Sequence, residues 1–308
     1  MRSRLKSFGI TLGISFGVSL IIFGLVACIL VPSVLSLLSP FTGKNEGTVE
    51  ETTQQSLETD SKTGVKGQGF SAVLIGTDYQ PKVTPDQTSH SDMIIFININ
   101  DKTNHFVYMA IPSVANVTVD GSTMSLSEVY HEKNIEYLCD KIAELTGVSV
   151  DYYAITSIPK MEEIVDELGG IDFSVPVNMQ YEDSEQNLKI DISSGYCKLD
   201  GENAVKMLRY KSDSYEDRMS RNVDFIQTVI KTFTGDIYKD EAIELYNKIA
   251  QNITTNFTEE DLIKYMDLLW SYSSFDEIKL DYPGKYITTS DTNSFEPDTN
   301  SAFTLLAE

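Results

Sequence analysis

The strongest pattern along the chain is an absence of charge. No Asp, Glu, Lys or Arg occurs from Ser7 to Gly43, and the centre of that run reads FGITLGISFGVSLIIFGLVACILV, residues 8–31. At about 1.5 Å of rise per helical residue it reaches roughly 36 Å, enough to cross a hydrocarbon core of about 30 Å. The pattern predicts a transmembrane helix over 8–31 with residues 1–7 in the cytoplasm, because Arg2, Arg4 and Lys6 lie before it and no cation follows until Lys44. The pattern therefore predicts a single-pass cell-membrane protein whose remainder lies outside. A competing reading is a cleaved signal segment: LVAC at 25–28 resembles a lipoprotein box ending in Cys28, although ILVPSVLSLL continues the apolar run beyond it. Residues 32–68 then form an extracytoplasmic stalk, since 40–68 are poor in large apolar side chains and rich in Thr, Gly, Glu and Gln.

From residue 69 to 308 the pattern alternates between periods of two and of 3.6. FSAVLIGTD (70–78), MIIFININ (93–100) and HFVYMAI (105–111) read as buried strands, the last two as a hairpin around Asp101 and Lys102. Helical spacing appears at 134–147 and at 159–170, where Met161, Ile164, Val165 and Leu168 share a face and Gly169 is the stop. DYYAITS (151–157) and IDFSVP (171–176) are strand candidates, and a helix opens after Asp200 as its N-cap. Further helices are expected near 217–233, 239–251 and 258–271, and a last strand in IKLDYPG, 278–284. Strands interleaved with helices predict an α/β domain over 69–308, a mixed sheet covered on both faces.

Charge adds a contrast. The formal net charge is −22, which argues against a nucleic-acid partner along any broad face. Beyond Arg4 the only arginines are Arg209, Arg218 and Arg221, gathered in MLRYKSDSYEDRMSRNVDFIQ, 207–227. Arg218 and Arg221 sit at i and i+3 of a predicted helix, where they would either meet an anion or pair with Glu216, Asp217 or Asp224 on a solvated face. Cys139 and Cys197 are read as buried free thiols rather than a disulfide framework, and the three scattered histidines carry no zinc spacing.

Five blocks in order, VLIGTD, HSDMIIFININDKTNHFVYMAIPS, YYAITSIPKMEEIVDELGGIDFSVP, LDGENAVKMLRYK and DRMSRN…FIQ, resemble the LytR-CpsA-Psr family of Gram-positive envelope proteins. The resemblance implies an α/β/α sandwich outside the membrane that binds a polyprenyl-pyrophosphate lipid. It further implies transfer of a cell-wall glycopolymer from that lipid to peptidoglycan as a phosphodiester, assisted by magnesium. Carried over by position, Arg209, Lys211, Arg218, Arg221 and Asn222 would face the pyrophosphate, Asn222 standing where the family has Gln. Asp92, with Asp78 nearby in sequence, would be the metal ligand. The chain also departs from the pattern. Where the family has Arg-Ser-Asp and later Ile-Pro-Arg-Asp, it has His90, Ser91, Asp92 and Ile111, Pro112, Ser113, Val114; Lys and Asn positions ahead of Tyr130 are Ser125 and Ser127. Phosphoryl transfer depends on positioning and charge neutralisation, so three functions stay open: a transferase with a rearranged site, a relative that binds the lipid or regulates an active partner without transfer, and a structural protein. No catalytic residue is assigned.

Overall fold

The computed structural model describes residues 69–77, 91–185, 187–211, 215–288 and 293–307, with only the backbone of Asp92 and Tyr215. The predicted transmembrane helix and stalk, and the sites predicted at Asp78 and His90, lie outside these residues. Among the described residues no helix is long and apolar enough to cross a membrane.

Strands β1 (Phe70–Thr77), β2 (Ser91–Asn100) and β3 (His105–Ile111) form an antiparallel meander at the centre of the fold. β6 (Tyr152–Ser157) joins β1 in parallel, β12 (Asp276–Asp281) joins β3 in parallel, and the two-residue β11 (Thr254–Thr255) closes one edge. The order β11-β6-β1-β2-β3-β12 is a mixed sheet, as the pattern predicts. Successive side chains point to opposite faces, so Ala72, Ile95, Ile97 and Tyr108 enter one hydrophobic core while Val73, Ile94, Phe96 and Met109 enter another. Burial on both faces explains why these strands read as continuous apolar runs rather than alternating ones.

The second core is covered by α1 (Leu126–Glu132), α2 (Ile135–Thr146) and the C-terminal α8 (Thr299–Ala307). The first is covered by α3 (Ile158–Glu167), α4 (Gly201–Arg209), α5 (Tyr215–Lys231) and α7 (Glu259–Trp270), with α6 (Lys239–Ile249) beside them. Local chemistry sets the boundaries. Asp200 accepts a hydrogen bond from the Asn203 amide at 2.9 Å and caps α4. Gly169 has φ +75°, the left-handed conformation that ends α3. At Gly201 a Cβ would lie 2.3 Å from the Glu162 carbonyl oxygen, so α4 can start against α3 only with glycine there.

Four two-stranded antiparallel pairs complete the fold: β4 (Asn116–Val119) with β5 (Ser122–Ser125), β7 (Ile171–Val175) with β10 (Gly195–Leu199), β8 (Met179–Asp183) with β9 (Leu188–Ile192), and β13 (Gly284–Thr288) with β14 (Asn293–Pro297). Cys139 and Cys197 are free and half-buried rather than fully buried. They belong to opposite sides of the sheet, Cys139 on α2 and Cys197 against the first core. Burial, with Asp140 and Glu136 nearby, pushes the Cys139 thiol up to about 11, which keeps it protonated at neutral pH.

Candidate functional site

A cavity of about 430 Å³ opens where β1, β2 and β6 end, between the sheet and the helices of the first core. Its wall is hydrocarbon from four elements: Met93, Ile158, Met161, Leu188, Val205 and Leu208. Burial of apolar surface stabilises by roughly 25 cal/mol per Å², or about 0.8 kcal/mol per CH₂, so this wall suits an alkyl or prenyl chain. Gly76 brings β1 close at this end, where a Cβ would stand 3.3 Å from Met93 Cε, and the β1–β2 register shifts between Gly76 and Thr77.

The other part of the lining is cationic. Arg209 ends α4, Lys211 follows two residues later, and Arg218 lies in the first turns of α5; all three line the cavity. Arg209 and Arg218 are half-buried and Lys211 is exposed. Asn222 also lines it, is only 7% exposed, and its Oδ1 has no hydrogen-bond partner. A buried unpaired polar atom costs about 1–3 kcal/mol, and the same amide carries the donor that a phosphate oxygen needs. The arrangement gives an apolar wall beside three cations, the requirements of a lipid with an anionic head.

Arg221 is placed differently from the other cluster members. On a helix Arg218 and Asn222 are about 40° apart, whereas Arg221 is about 100° from Asn222, and it turns away from the cavity lining. It is 3% exposed, its Nη2 donates to the Tyr210 carbonyl at 2.8 Å, and its guanidinium carbon lies 5.7 Å from the centre of the Tyr210 ring. Burial lowers its pKa from the ordinary arginine value, with Tyr210 opposing. Arg221 therefore holds the Tyr210 backbone, which lies between Arg209 and Lys211.

The described positions that depart from the family pattern lie outside the lining of this cavity and serve backbone bonds, capping and packing. Ser113 is half-buried and its carbonyl accepts from the Ser127 amide at 2.9 Å. Val114 packs against the second core, and its carbonyl accepts from Phe295 N at 3.0 Å. Ser125 is the N-cap of α1: its Oγ accepts from the Glu128 amide at 3.2 Å while the Glu128 carboxylate accepts from the Ser125 amide at 2.7 Å. A smaller pocket of about 70 Å³ lies here, lined by Pro112, Tyr282, Phe295 and Met219, and Met219 also lines the large cavity. As for magnesium, no group of three His, Cys, Asp or Glu comes together among the described residues, and Asp78 and the Asp92 side chain lie outside them. The described donors do not by themselves hold a divalent ion.

A profile of the LytR_cpsA_psr family matches residues 40–307. The chain belongs to this family. It is 23% identical over 246 residues to TagV of Bacillus subtilis (strain 168), named a polyisoprenyl-teichoic acid–peptidoglycan teichoic acid transferase; the match covers 76% of this chain and 62% of TagV, a little under two thirds of that relative's length. TagT of the same organism, a transferase of the same name, is 24% identical over 220 residues, covering 68% and 67%. Among solved structures, B. subtilis TagV has a TM-score of 0.67 at 19% identity, covering 79% of this LytR_cpsA_psr chain and 97% of that one. TagT bound to LIIa-WTA has a TM-score of 0.62 at 19% identity, covering 82% and 93%. These likenesses show the fold.

The arginine cluster was visible in the sequence; the apolar wall was not, because its residues come from segments more than 100 positions apart. Tyr181 and Leu188 of the β8–β9 hairpin also line the cavity. The alternation in LKIDI, 188–192, is the signal that could have found that hairpin.

Proposed function

We propose that the protein holds a polyprenyl-pyrophosphate-linked glycopolymer and takes part in its transfer to peptidoglycan. The observation that carries this reading is the pairing, within one cavity, of a hydrocarbon wall with Arg209, Lys211 and Arg218. The prenyl chain lies against Met161, Val205 and Leu208, and the pyrophosphate meets the guanidinium groups, whose planar forks each engage two oxygens and stay charged at any physiological pH. Asn222 supplies a neutral donor, and Arg221 holds the backbone that presents Arg209. The names of TagV and TagT and the structure of TagT with LIIa-WTA support this choice of ligand. The reading includes anchoring by the apolar segment 8–31, N-terminus in the cytoplasm, with the LytR_cpsA_psr domain outside the membrane, and magnesium at Asp92 with Asp78 as a further donor.

A second reading, capture or presentation of the lipid without transfer, is favoured by one feature. Ser113 carries no charge and half-buried Val114 packs against the second core, so these two positions supply no charge to neutralise a phosphoryl-transfer transition state. Both readings share the ligand. Lipid extraction and mass spectrometry of the purified full-length protein should find a polyprenyl phosphate or pyrophosphate. Absence of any prenyl lipid, together with no uptake of an added one, would remove both.

A further inference from the structure

The β8–β9 hairpin contains a side chain that breaks its own burial pattern. Register pairs Met179 with Ile192, Tyr181 with Ile190 and Asp183 with Leu188. Period two then puts Met179, Tyr181 and Asp183 on one inward face with Leu188, Ile190 and Ile192. Four of them are buried, at 0%, 8%, 2% and 7% exposure for Met179, Leu188, Ile190 and Ile192. Tyr181 is 39% exposed. It is exposed on the inward side because the cavity, which it lines, lies in front of it.

We infer that Tyr181 is a stacking platform for the sugar attached to the pyrophosphate, and so a residue that selects glycosylated over bare prenyl pyrophosphate; this rests on the proposed reading of the cavity. The chemistry around the ring points to a neutral, hydroxyl-rich group. The Tyr181 hydroxyl lies 3.4 Å from an Asp183 carboxylate oxygen, and Glu185 is exposed at the turn of the same hairpin. These carboxylates repel a pyrophosphate, which the cations of α4 and α5 attract, but they accept hydrogen bonds from sugar hydroxyls. An aromatic face is negative and attracts the weakly positive C–H bonds along one side of a pyranose ring. A prenyl chain in the same place would leave the phenol tip and its carboxylate neighbour against hydrocarbon, which costs free energy.

The test uses full-length protein in detergent and two probes, a short-chain prenyl pyrophosphate and the same lipid carrying one hexose. Wild type should bind the hexose-bearing probe more tightly. Tyr181→Ala should weaken that probe by roughly 2- to 10-fold, the range of an aromatic stacking contact, and leave the bare probe within about 2-fold. Tyr181→Phe should retain the preference. Tyr181→Leu keeps apolar bulk on the inward face for folding, and should lose the preference as Ala does. Equal weakening of both probes would show the ring to be part of the prenyl wall and overturn the inference, as would an unchanged preference in Tyr181→Leu. A wild-type protein that binds the bare lipid without preferring the hexose overturns the inference alone; one that binds neither probe overturns the reading of the cavity and the inference with it.

Discussion

On one side of Met219 lies a cavity of about 430 Å³ rimmed by Arg209, Lys211 and Arg218; on the other lies a pocket of about 70 Å³ lined by Phe295, whose amide donates to the carbonyl of half-buried Val114. The first wall lines one open cavity with apolar side chains and three cations. Beyond it, Ser125 caps a helix and Val114 fills space where the family pattern has an Arg-Asp pair. The difference teaches how one cavity can gather apolar side chains and cations while nearby positions serve packing and capping. On the proposed reading, the first holds the ligand, and the uncharged Ser113 and Val114 leave transfer chemistry to be tested.

The largest expected effect comes from restoring the Arg-Asp pair. Ser113→Arg combined with Val114→Asp should raise polymer transfer on the order of 10²-fold, the scale on which a positioned charge or donor acts in a transition state. A wild-type protein already transferring polymer as fast as TagV would break the comparison. Next in size, Ile142→Ala, in the close-packed second core, should cost about 2–5 kcal/mol of stability. Leu208→Ala, half-buried in the cavity wall, should cost nearer about 1 kcal/mol; equal losses in chemical denaturation would mean that the two sides are packed alike. Arg221→Ala should lose about 1–3 kcal/mol, because the Tyr210 carbonyl keeps its burial and loses its donor. Arg218→Ala, half-buried at the rim, should change stability by no more than about 1 kcal/mol. Ser125→Ala should cost about 0.5–2 kcal/mol from loss of the helix cap, with no change in lipid binding; weaker lipid binding would connect Ser125 to the ligand after all.

The central sheet was legible because both of its faces are buried, which gives β1, β2 and β3 long apolar runs, and because Asp200 and Gly169 are unambiguous boundary signals. Seven-residue α1 was not, since LSEVYHE is too short to show a period, although Ser125 and Glu128 spell its capping box. β13 and β14 were missed because their exposed, polar strands carry little alternation. At the site, the clustering of arginines was legible but their directions were not. Spacing places Arg218 and Arg221 on neighbouring faces. Which one turns inward is decided by Met219, Val223, Phe225 and Ile226, which seat α5 on the first core. The family resemblance identified the altered positions, but only the fold shows that Val114 now serves packing.

The most direct measurement is a titration of a soluble prenyl pyrophosphate into the full-length protein and into its Arg209→Ala/Arg218→Ala variant, with thermal melting to confirm that both are folded. Each guanidinium should contribute charge-assisted hydrogen bonds worth roughly 1.5–3 kcal/mol, so either single loss should weaken binding by about 10- to 100-fold. The double variant should lose more than either, while Arg→Lys at the same positions keeps charge without the fork and recovers part of the affinity. Equal affinity in wild type and the well-folded double variant would contradict the account.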